Sequence, residues 1–501
     1  MLNMAVRNTN KLIREVAKND NLRIGRFFTK KAEAFHMASL FTLPAQDEFS
    51  LLDAGAGTGI LAAAAAEALC VRAKEEERAL RIHLTCYEND PLMLPMLRDN
   101  MERVRKRCRR LYGARLFITV KEEDFIANEE DAAFDLAILN PPSLLVQPSK
   151  ALGVLESLCQ GETDLAYLFA YKAFSLLGDG GQAVMLLPTE FCSGVYLENI
   201  RRFLLNGGAL SHILLADNGT RTDLLKGKAA AAAPPFSKHM ALCLVKGCAQ
   251  EKITVLSVNA KGEEARRSLY EPSFIIRGEE KNLLLLRSRE EEEVVRFVEA
   301  QKQTLSSLGL KMKTGLTLAS RHGDLLRAEC ARDTVPLLRP RGISDGRILF
   351  PLGDGRDYLV PRIPSLRQPN KNLLLVKRVP TKKDGRQIVA AVYYASQLSR
   401  FSHISTDNKL NFIDYADGRE MSMPLTLGLY ALFSSSLYNR YLAVTSGVRR
   451  VNASLYDTLP LPSEKMILEI GRALSLLRAT NERAIDATVT SVFRKYSTSF
   501  R

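Results

Sequence analysis

The sequence predicts an α/β protein whose first half forms a largely parallel sheet and whose second half is a separate α+β region. Up to about residue 250, apolar strand-like segments alternate with helix-like segments, as in a parallel sheet covered by helices on both faces. Later segments are short, rich in Arg and broken by Pro and Gly, which indicates irregular α+β structure. We expect one domain over 1–260 and another over 306–501, joined by a linker and helix over 261–305.

The elements of the first half follow from local patterns of apolar residues. We predict a helix in the alanine-rich segment after 59, a second helix that ends in the basic run 103–110 and a third helix near 163–177. The tail from 464 onward is also predicted to be helical. The predicted strands cover 49–56, 82–90, 114–125, 134–142, 180–188 and 239–247.

Composition restricts the functional class only loosely. The 501 residues are 46% hydrophobic and 25% charged, as in ordinary globular proteins, and no apolar run is long enough for a membrane span. Seventy basic against 56 acidic residues give a net charge of +14, which favours polyanions such as nucleic acid without requiring them. No leader is evident, and eight scattered Cys without a Cys-x-x-Cys pair predict a cytoplasmic protein with free thiols and no metal site.

A glycine-rich turn follows the first predicted strand, in the stretch Asp53-Ala-Gly55-Ala-Gly57-Thr-Gly59. Glycines at this position let the backbone turn tightly and approach a ligand closely, beside the free N–H groups of a helix N-terminus. The pattern is typical of nucleotide-type cofactor sites, including those of dehydrogenases. A tight turn without a ligand is the alternative interpretation.

Carboxylates end the next two predicted strands. Glu88, at the end of the second strand, can accept hydrogen bonds from both hydroxyls of a ribose, whether of NAD or of S-adenosylmethionine. Asp124 can accept from an adenine amine, while the ring of Phe125 covers a face of the base. A solvated carboxylate at a strand end is an equally common arrangement for Glu88.

The stretch Asn140-Pro141-Pro142-Ser143 closes the fourth predicted strand. Two prolines cannot continue a central strand and produce a rigid, extended turn. In such a turn the Asn side-chain oxygen and the next carbonyl oxygen can accept both hydrogens of one amine. Its nitrogen then moves towards sp³ geometry and exposes a lone pair to an electrophilic methyl group, without a metal or an unusual general base.

In this order, the segments GRFFT (25–29), DAGAGTG, YEND, EEDF and NPPS resemble the gamma class of DNA N6-adenine methyltransferases. Looser stretches, such as SGVRRVNASLYDTLPLP (446–462), are similar to type II restriction-modification methylases of the PstI/BsuBI kind. The resemblance implies a Rossmann-like S-adenosylmethionine-dependent methyltransferase sheet with a C-terminal α+β target-recognition domain. It implies S-adenosyl-L-methionine as the cofactor and double-stranded DNA as the partner.

The resemblance also implies roles at the matching positions. Phe28 and Thr29 would hold the methionine end of the cofactor above the glycine turn, with Glu88 on its ribose and Asp124 and Phe125 on its adenine. Asn140 and Pro141 would accept from the target amine. The predicted sites are thus a cofactor set of Phe28, Thr29, Asp53, Gly55, Gly57, Gly59, Glu88, Asp124 and Phe125 and a catalytic set of Asn140, Pro141, Pro142 and Ser143.

Two departures from the family pattern concern aromatic residues. Ser143 stands where the family usually has a ring that stacks on the flipped base, and the stretch 239–247 contains no aromatic, so that Phe236 is the nearest candidate for a second ring. Since base stacking contributes about 1–3 kcal/mol, losing one ring would slow transfer roughly five- to 150-fold. A catalytically weakened, methylase-like DNA-binding protein is therefore one alternative, and an RNA or protein-glutamine methyltransferase is another.

Basic residues in loop-like contexts of the second half are candidates for contacts to DNA phosphates and guanine edges. The resemblance further implies a cognate restriction endonuclease acting separately, and we expect a monomer without a membrane partner. The predicted DNA-binding residues are Arg339, Arg341, Lys377, Arg378, Lys382, Lys383, Arg449 and Arg450.

Overall fold

A computed structural model describes residues 1–16, 29–129, 132–146, 163–217, 236, 239–381, 384–445, 456–477 and 481–496. The chain divides into two compact units, Met1–Ser288 and Arg289–Arg501. The predicted site residues Phe28, Lys382, Lys383, Arg449 and Arg450 lie outside the described residues. No helix in the described ranges is long and apolar enough to cross a membrane.

The first unit contains a nine-stranded sheet with the strand order β11-β10-β8-β9-β7-β4-β1-β2-β3. Outside this sheet, β5 pairs antiparallel with β6, and β12 pairs antiparallel with β13. The strands are β1 (Glu48–Ala54), β2 (Arg81–Tyr87), β3 (Arg115–Lys121), β4 (Phe134–Leu139), β5 (Leu145–Val146), β6 (Thr163–Asp164), β7 (Leu177–Pro188), β8 (Gly208–Ala216), β9 (His239–Lys246), β10 (Ile253–Val258), β11 (Glu264–Tyr270), β12 (Ile276–Arg277) and β13 (Asn282–Leu283).

Strand direction divides this sheet into two parts. The pairs β1–β2, β2–β3, β1–β4 and β4–β7 are parallel, whereas β9 runs antiparallel to both β7 and β8. The chain passes from β1 outward to β2 and β3 and then returns to β4 on the other side of β1. This reversal places a topological switch point at the carboxyl ends of β1 and β4, where open α/β sheets bind ligands. The predicted Rossmann-like α/β fold is confirmed.

Helices of the first unit cover the sheet, and their composition sets how closely they pack. Five consecutive alanines, 62–66, are buried in α3, because side chains without bulk let the helix lie close against the strands. The helices are α1 (Leu2–Val16), α2 (Lys31–Ser39), α3 (Ile60–Glu75), α4 (Leu94–Tyr112), α5 (Leu165–Ser175), α6 (Glu198–Gly207) and the single turn α7 (Pro272–Ile275).

The second unit combines two small sheets with helices, as expected for α+β structure. One sheet has the order β14-β24-β21-β22-β18-β17 and the other the order β15-β19-β16-β23-β20. Their strands are β14 (Leu310–Thr314), β15 (Leu326–Arg327), β16 (Val335–Leu338), β17 (Ile343–Ser344), β18 (Arg347–Ile348), β19 (Tyr358–Leu359), β20 (Gln368–Pro369), β21 (Leu373–Lys377), β22 (Ala390–Tyr393), β23 (His403–Thr406) and β24 (Leu410–Tyr415).

Two glycines bring the central helices of the second unit into close contact. A methyl group built on Gly428 would lie 2.0 Å from the carbonyl oxygen of Ile467, and one on Gly471 would lie 1.8 Å from that of Pro424. Any larger residue would therefore force these helices apart. The helices of this unit are α8 (Arg289–Glu299), α9 (Ala319–His322), α10 (Met423–Ser434), α11 (Ser436–Thr445), α12 (Glu464–Ser475) and α13 (Glu482–Tyr496).

The segment 261–305, expected to be a linker with a helix, divides between the two units. Its first part contributes the edge strand β11, which pairs antiparallel with β10. Its last part forms α8, the first helix of the second unit, with Val295 and Val298 buried on one face.

Candidate active site

The glycine turn connects β1 to α3 at the switch point. Gly55, Gly57 and Gly59 have positive φ angles of 75°, 56° and 79°, which only glycine adopts readily. A methyl group on Gly59 would lie 2.6 Å from Met101 and 2.9 Å from Leu97, both on α4. The turn therefore requires glycine for its backbone conformation and, at Gly59, also for its contact with the neighbouring helix.

Asp53, the last polar residue of β1, is completely buried under this turn. Its Oδ2 accepts from the backbone N–H of Ala62 at 2.9 Å, in the first turn of α3. Its Oδ1 is buried without a hydrogen-bond partner among the described residues. Burial raises the pKa of this carboxyl to about 7, because the charged form loses its hydration. A buried carboxylate oxygen without a partner favours a nearby positive charge.

Glu88 follows β2 and is almost buried beside the same turn. Its Oε2 accepts from the N–H of Gly57 at 2.7 Å, and its Oε1 accepts from the N–H of Asp90 at 2.8 Å. Burial raises the pKa of this carboxyl, against the lowering effect of the backbone N–H groups of Asp90, Gly57 and Asn89. A carboxylate offers about four acceptor positions, so these donors leave room for a further hydrogen bond.

Asp124 and Phe125 follow β3 but differ in exposure. Asp124 is exposed, and its Oδ1 accepts from the backbone N–H of Ile126 at 2.8 Å. Phe125 is only 2% exposed and contacts the rings of Tyr87 and Phe169, with centroids 5.1 and 5.2 Å away. The structure therefore places Phe125 inside a row of aromatic side chains, and its contact with a cofactor base stays a prediction.

Asn140 follows β4, and its side-chain amide is oriented by Thr29. The Nδ2 of Asn140 donates to the Oγ1 of Thr29 at 2.9 Å, so that Oδ1 is the atom left to accept from a substrate. Gly55 links the two motifs, because a methyl group on it would lie 3.4 Å from Phe169 and 3.8 Å from Pro142. The structure thus brings together the glycine turn, Thr29 and the Asn-Pro-Pro turn.

Ser143 contacts the start of α5. Its Oγ donates to the Oδ2 of Asp164 at 2.5 Å, while Oδ1 of Asp164 accepts from the backbone N–H of Leu144 at 3.2 Å and of Ala166 at 3.0 Å. Asp164 is therefore the N-cap of α5 and also an anchor for the Asn-Pro-Pro turn. Sequence reasoning missed this residue, although an acidic residue immediately before an apolar helical segment is a recognisable N-cap signal.

A second missed group supports the glycine turn from the side of α1. Thr9 and Thr58 are buried, and their hydroxyl oxygens are 2.6 Å apart. Asn100 of α4 donates to the carbonyl oxygen of Thr58 at 2.8 Å and accepts from Asn8 at 2.7 Å. No local sequence signal relates these four residues, because their contacts join α1, α4 and the turn.

The described residues of the predicted DNA-binding set differ in their surroundings. Arg339 is buried and paired with Asp354 at 2.5 Å and Asp357 at 2.9 Å, so its charge is compensated within the protein. Lys377 is largely buried and paired with Asp384 at 2.8 Å. Arg341 is 81% exposed with a looser pair to Asp354 at 3.6 Å, and Arg378 is exposed.

The fold and the clustered motifs define the class of protein, a Rossmann-like methyltransferase. Residues 80–220 match the family described as Eco57I restriction-modification methylase. This range contains Glu88, Asp124 and the whole turn from Asn140 to Ser143.

Similar proteins extend the match to most of the chain. It is 25% identical over 479 residues to the type II methyltransferase M.PstI of Providencia stuartii, covering 91% of this chain and 92% of that protein. It is 24% identical over 464 residues to M.BsuBI of Bacillus subtilis, covering 90% and 89%. A solved structure, the type IIG restriction endonuclease BpuSI, aligns over 98% of this chain and 68% of its own, with 13% identity and a TM-score of 0.45. The predicted similarity to type II restriction-modification methylases is confirmed.

Proposed function

We propose that the chain transfers a methyl group from S-adenosylmethionine to the N6 amine of adenine in a short sequence of double-stranded DNA. The observation that carries this proposal is the oriented amide of Asn140, held by Thr29 next to the glycine turn. An amide with its oxygen directed to the substrate suits an amine, which offers only hydrogens. The similarity to type II methyltransferases supports DNA as the substrate.

The residues at the switch point fit S-adenosylmethionine. This cofactor carries a ribose, an amino-acid end and a positive sulfonium, and it supplies an electrophilic methyl group. The unpartnered buried Oδ1 of Asp53 would be stabilised by the positive charge, and Glu88 retains room for a hydrogen bond from a ribose hydroxyl. We assign Thr29, Gly55, Gly57, Gly59, Asp124 and Phe125 to the same site, with Phe28 beyond the described residues.

The chain's own contribution to the reaction is to hold and polarise the amine. Oδ1 of Asn140 and the carbonyl oxygen of Pro141 would each accept one amine hydrogen, which directs the nitrogen lone pair outward. Proline suits the second position, because its backbone has a carbonyl acceptor and no N–H donor. Pro142 and Ser143 keep the turn rigid, and the base would have to leave the duplex to reach it.

The second unit would recognise DNA through exposed basic side chains. Arg341 and Arg378 are the described members of the predicted set whose surroundings leave them accessible, whereas Arg339 is engaged within the protein. We propose catalysis by the first unit and target recognition by the second. We further propose that the protein acts as a cytoplasmic monomer beside a separate cognate endonuclease.

Methyl transfer from labelled S-adenosylmethionine to unmethylated plasmid DNA, followed by sequencing that detects N6-methyladenine, tests the proposal. Modification in one defined sequence is expected. Asn140→Ala should lower kcat about 100- to 1,000-fold, as for other preorganised polar groups, and leave the affinity for S-adenosylhomocysteine within about twofold. Asn481→Ala, at the exposed start of α13, is the matched control. Transfer only to RNA or protein would exclude DNA as the substrate.

A DNA-binding protein without catalytic turnover is the second candidate, and Ser143 is the observation that favours it. Without a ring at this position, a flipped adenine loses one stacking contact. Binding of both S-adenosylhomocysteine and DNA without any methyl transfer would establish this candidate instead.

A further inference from the structure

The catalytic turn needs anchors outside its own backbone. Pro141 and Pro142 have no N–H groups, so two of its four residues cannot donate backbone hydrogen bonds. The contacts that hold its second half are made by Asp164, which accepts from the hydroxyl of Ser143 at 2.5 Å and from the N–H of Leu144 at 3.2 Å. A hydroxyl that donates to a carboxylate makes one of the stronger hydrogen bonds in proteins.

Asp164 transmits this anchoring to a buried helix. It caps α5 through the N–H of Ala166 at 3.0 Å, and the adjacent N–H of Leu165 donates to the carbonyl oxygen of Leu144 at 2.9 Å. The same helix carries Phe169, whose ring lies against Gly55 of the glycine turn. One helix therefore supports both the catalytic turn and the turn assigned to the cofactor.

We propose that Ser143 and Asp164 are a positioning pair, which fixes the turn so that Asn140 meets the target amine. This inference rests on the proposed function. In this protein, residue 143 contributes a hydrogen bond that holds the turn. The serine therefore replaces a stacking ring with a structural contact, and its presence does not mean that the site has lost its function. A larger aromatic side chain at 143 would remove the hydroxyl's contact with Asp164 and release the turn.

A positioning role for Ser143 and a decayed stacking site predict opposite effects of Ser143→Tyr on the rate of methyl transfer. If Ser143 were a decayed aromatic position, Ser143→Tyr would raise the rate of transfer, and Ser143→Ala would change little. If Ser143 positions the turn, both substitutions lower kcat. We expect about a 10- to 100-fold decrease for Ser143→Ala, the range for a hydrogen bond to a charged group. Ser143→Thr, which keeps the hydroxyl, should retain most of the activity.

The experiment measures kcat, KM for duplex DNA and the dissociation constant of S-adenosylhomocysteine for the full-length variants. A positioning role predicts that kcat falls while the other two constants stay within about twofold. Ser175→Ala is the matched control, because Ser175 lies at the exposed end of α5 and bonds the carbonyl oxygen of Tyr171 at 2.9 Å. Wild-type or higher kcat in Ser143→Tyr or Ser143→Ala would overturn the proposal.

Hydrogen exchange separates this inference from the proposed function. Peptides covering 139–146 should exchange faster in Ser143→Ala than in wild type, whereas Ser175→Ala should leave them unchanged. If the wild-type protein transfers no methyl group to DNA, the proposed function fails. Hydrogen exchange then remains as the test of whether Ser143 and Asp164 hold the turn. Unchanged exchange over 139–146 in Ser143→Ala would then overturn it.

Discussion

The contact between Thr9 and Thr58 has a direction that the structure determines, and this direction predicts unequal effects of two similar substitutions. The hydroxyl of Thr9 donates to the carbonyl oxygen of Ala5 at 2.8 Å, within α1. A hydroxyl has one hydrogen, so Thr9 accepts in its 2.6 Å contact with Thr58, and Thr58 is the donor. Both side chains are buried.

Thr9→Val should therefore destabilise the first unit more than Thr58→Val. Valine is close to isosteric with threonine, but at position 9 it leaves the buried hydroxyl of Thr58 without an acceptor, at a cost of about 1–3 kcal/mol. Valine at position 58 removes one net hydrogen bond, worth roughly 0.5–1.5 kcal/mol, and leaves Thr9 bonded to Ala5. The double variant should be less destabilised than the sum of the single variants, because no hydroxyl is stranded.

Urea denaturation followed by circular dichroism measures these differences, with the transition of the first unit identified by its response to S-adenosylhomocysteine. Thr488→Val, in α13 of the second unit, removes a similar contact to a helical carbonyl oxygen at 2.8 Å and should not affect that transition. An equal or larger effect of Thr58→Val would refute the assigned direction of the hydrogen bond.

Three further predictions concern the turn, the buried carboxyl and the DNA contacts. Gly59→Ala should destabilise the first unit more than Gly57→Ala in urea denaturation, because both add about 1–2 kcal/mol of backbone strain but only the former meets α4, at 2.6 Å; equal effects would contradict this. Burial raises the pKa of the Asp53 carboxyl to about 7 in the folded protein, compared with about 3.8 in the unfolded chain. The folded protein therefore binds this proton more tightly, and the stability that the proton contributes is complete below pH 3.8 and is lost as the pH rises to 7. Asp53→Asn should thus gain stability relative to wild type between pH 5 and pH 8, and a constant difference would contradict the shift. Arg341→Ala should reduce the salt dependence of DNA binding by about one unit of slope, whereas an unchanged slope would remove Arg341 from the interface.

Local patterns predicted most of the first unit, because strand ends and glycine-rich turns are encoded by neighbouring residues. The glycine turn, Glu88 and Asn140 lie together at the ends of adjacent strands, where the order of motifs placed them. The antiparallel position of β9 between β7 and β8 was not predictable, because strand order depends on pairings between distant segments.

The second unit shows why side-chain roles are harder to predict. Arg339 and Arg341 have the same local context of Pro and Gly, yet Arg339 is buried by ion pairs with Asp354 and Asp357, more than ten residues later. Whether an arginine faces solvent or an internal carboxylate depends on how the intervening loop folds. The partner of Ser143 was missed for a related reason, since Asp164 lies 21 residues away.

The bond from Asn140 to Thr29 gives the site a hydrogen-bond polarity. With Nδ2 engaged at 2.9 Å, the amide presents oxygen, and Pro141 can add only another oxygen. Under the proposed function, these two acceptors would bind an amino group such as adenine N6 and would repel a keto oxygen such as guanine O6 or thymine O4. By orienting the Asn140 amide, Thr29 would then help the site to select a base that carries an amino group, independently of base stacking. Thr29→Val, by releasing the amide to rotate, would weaken that discrimination.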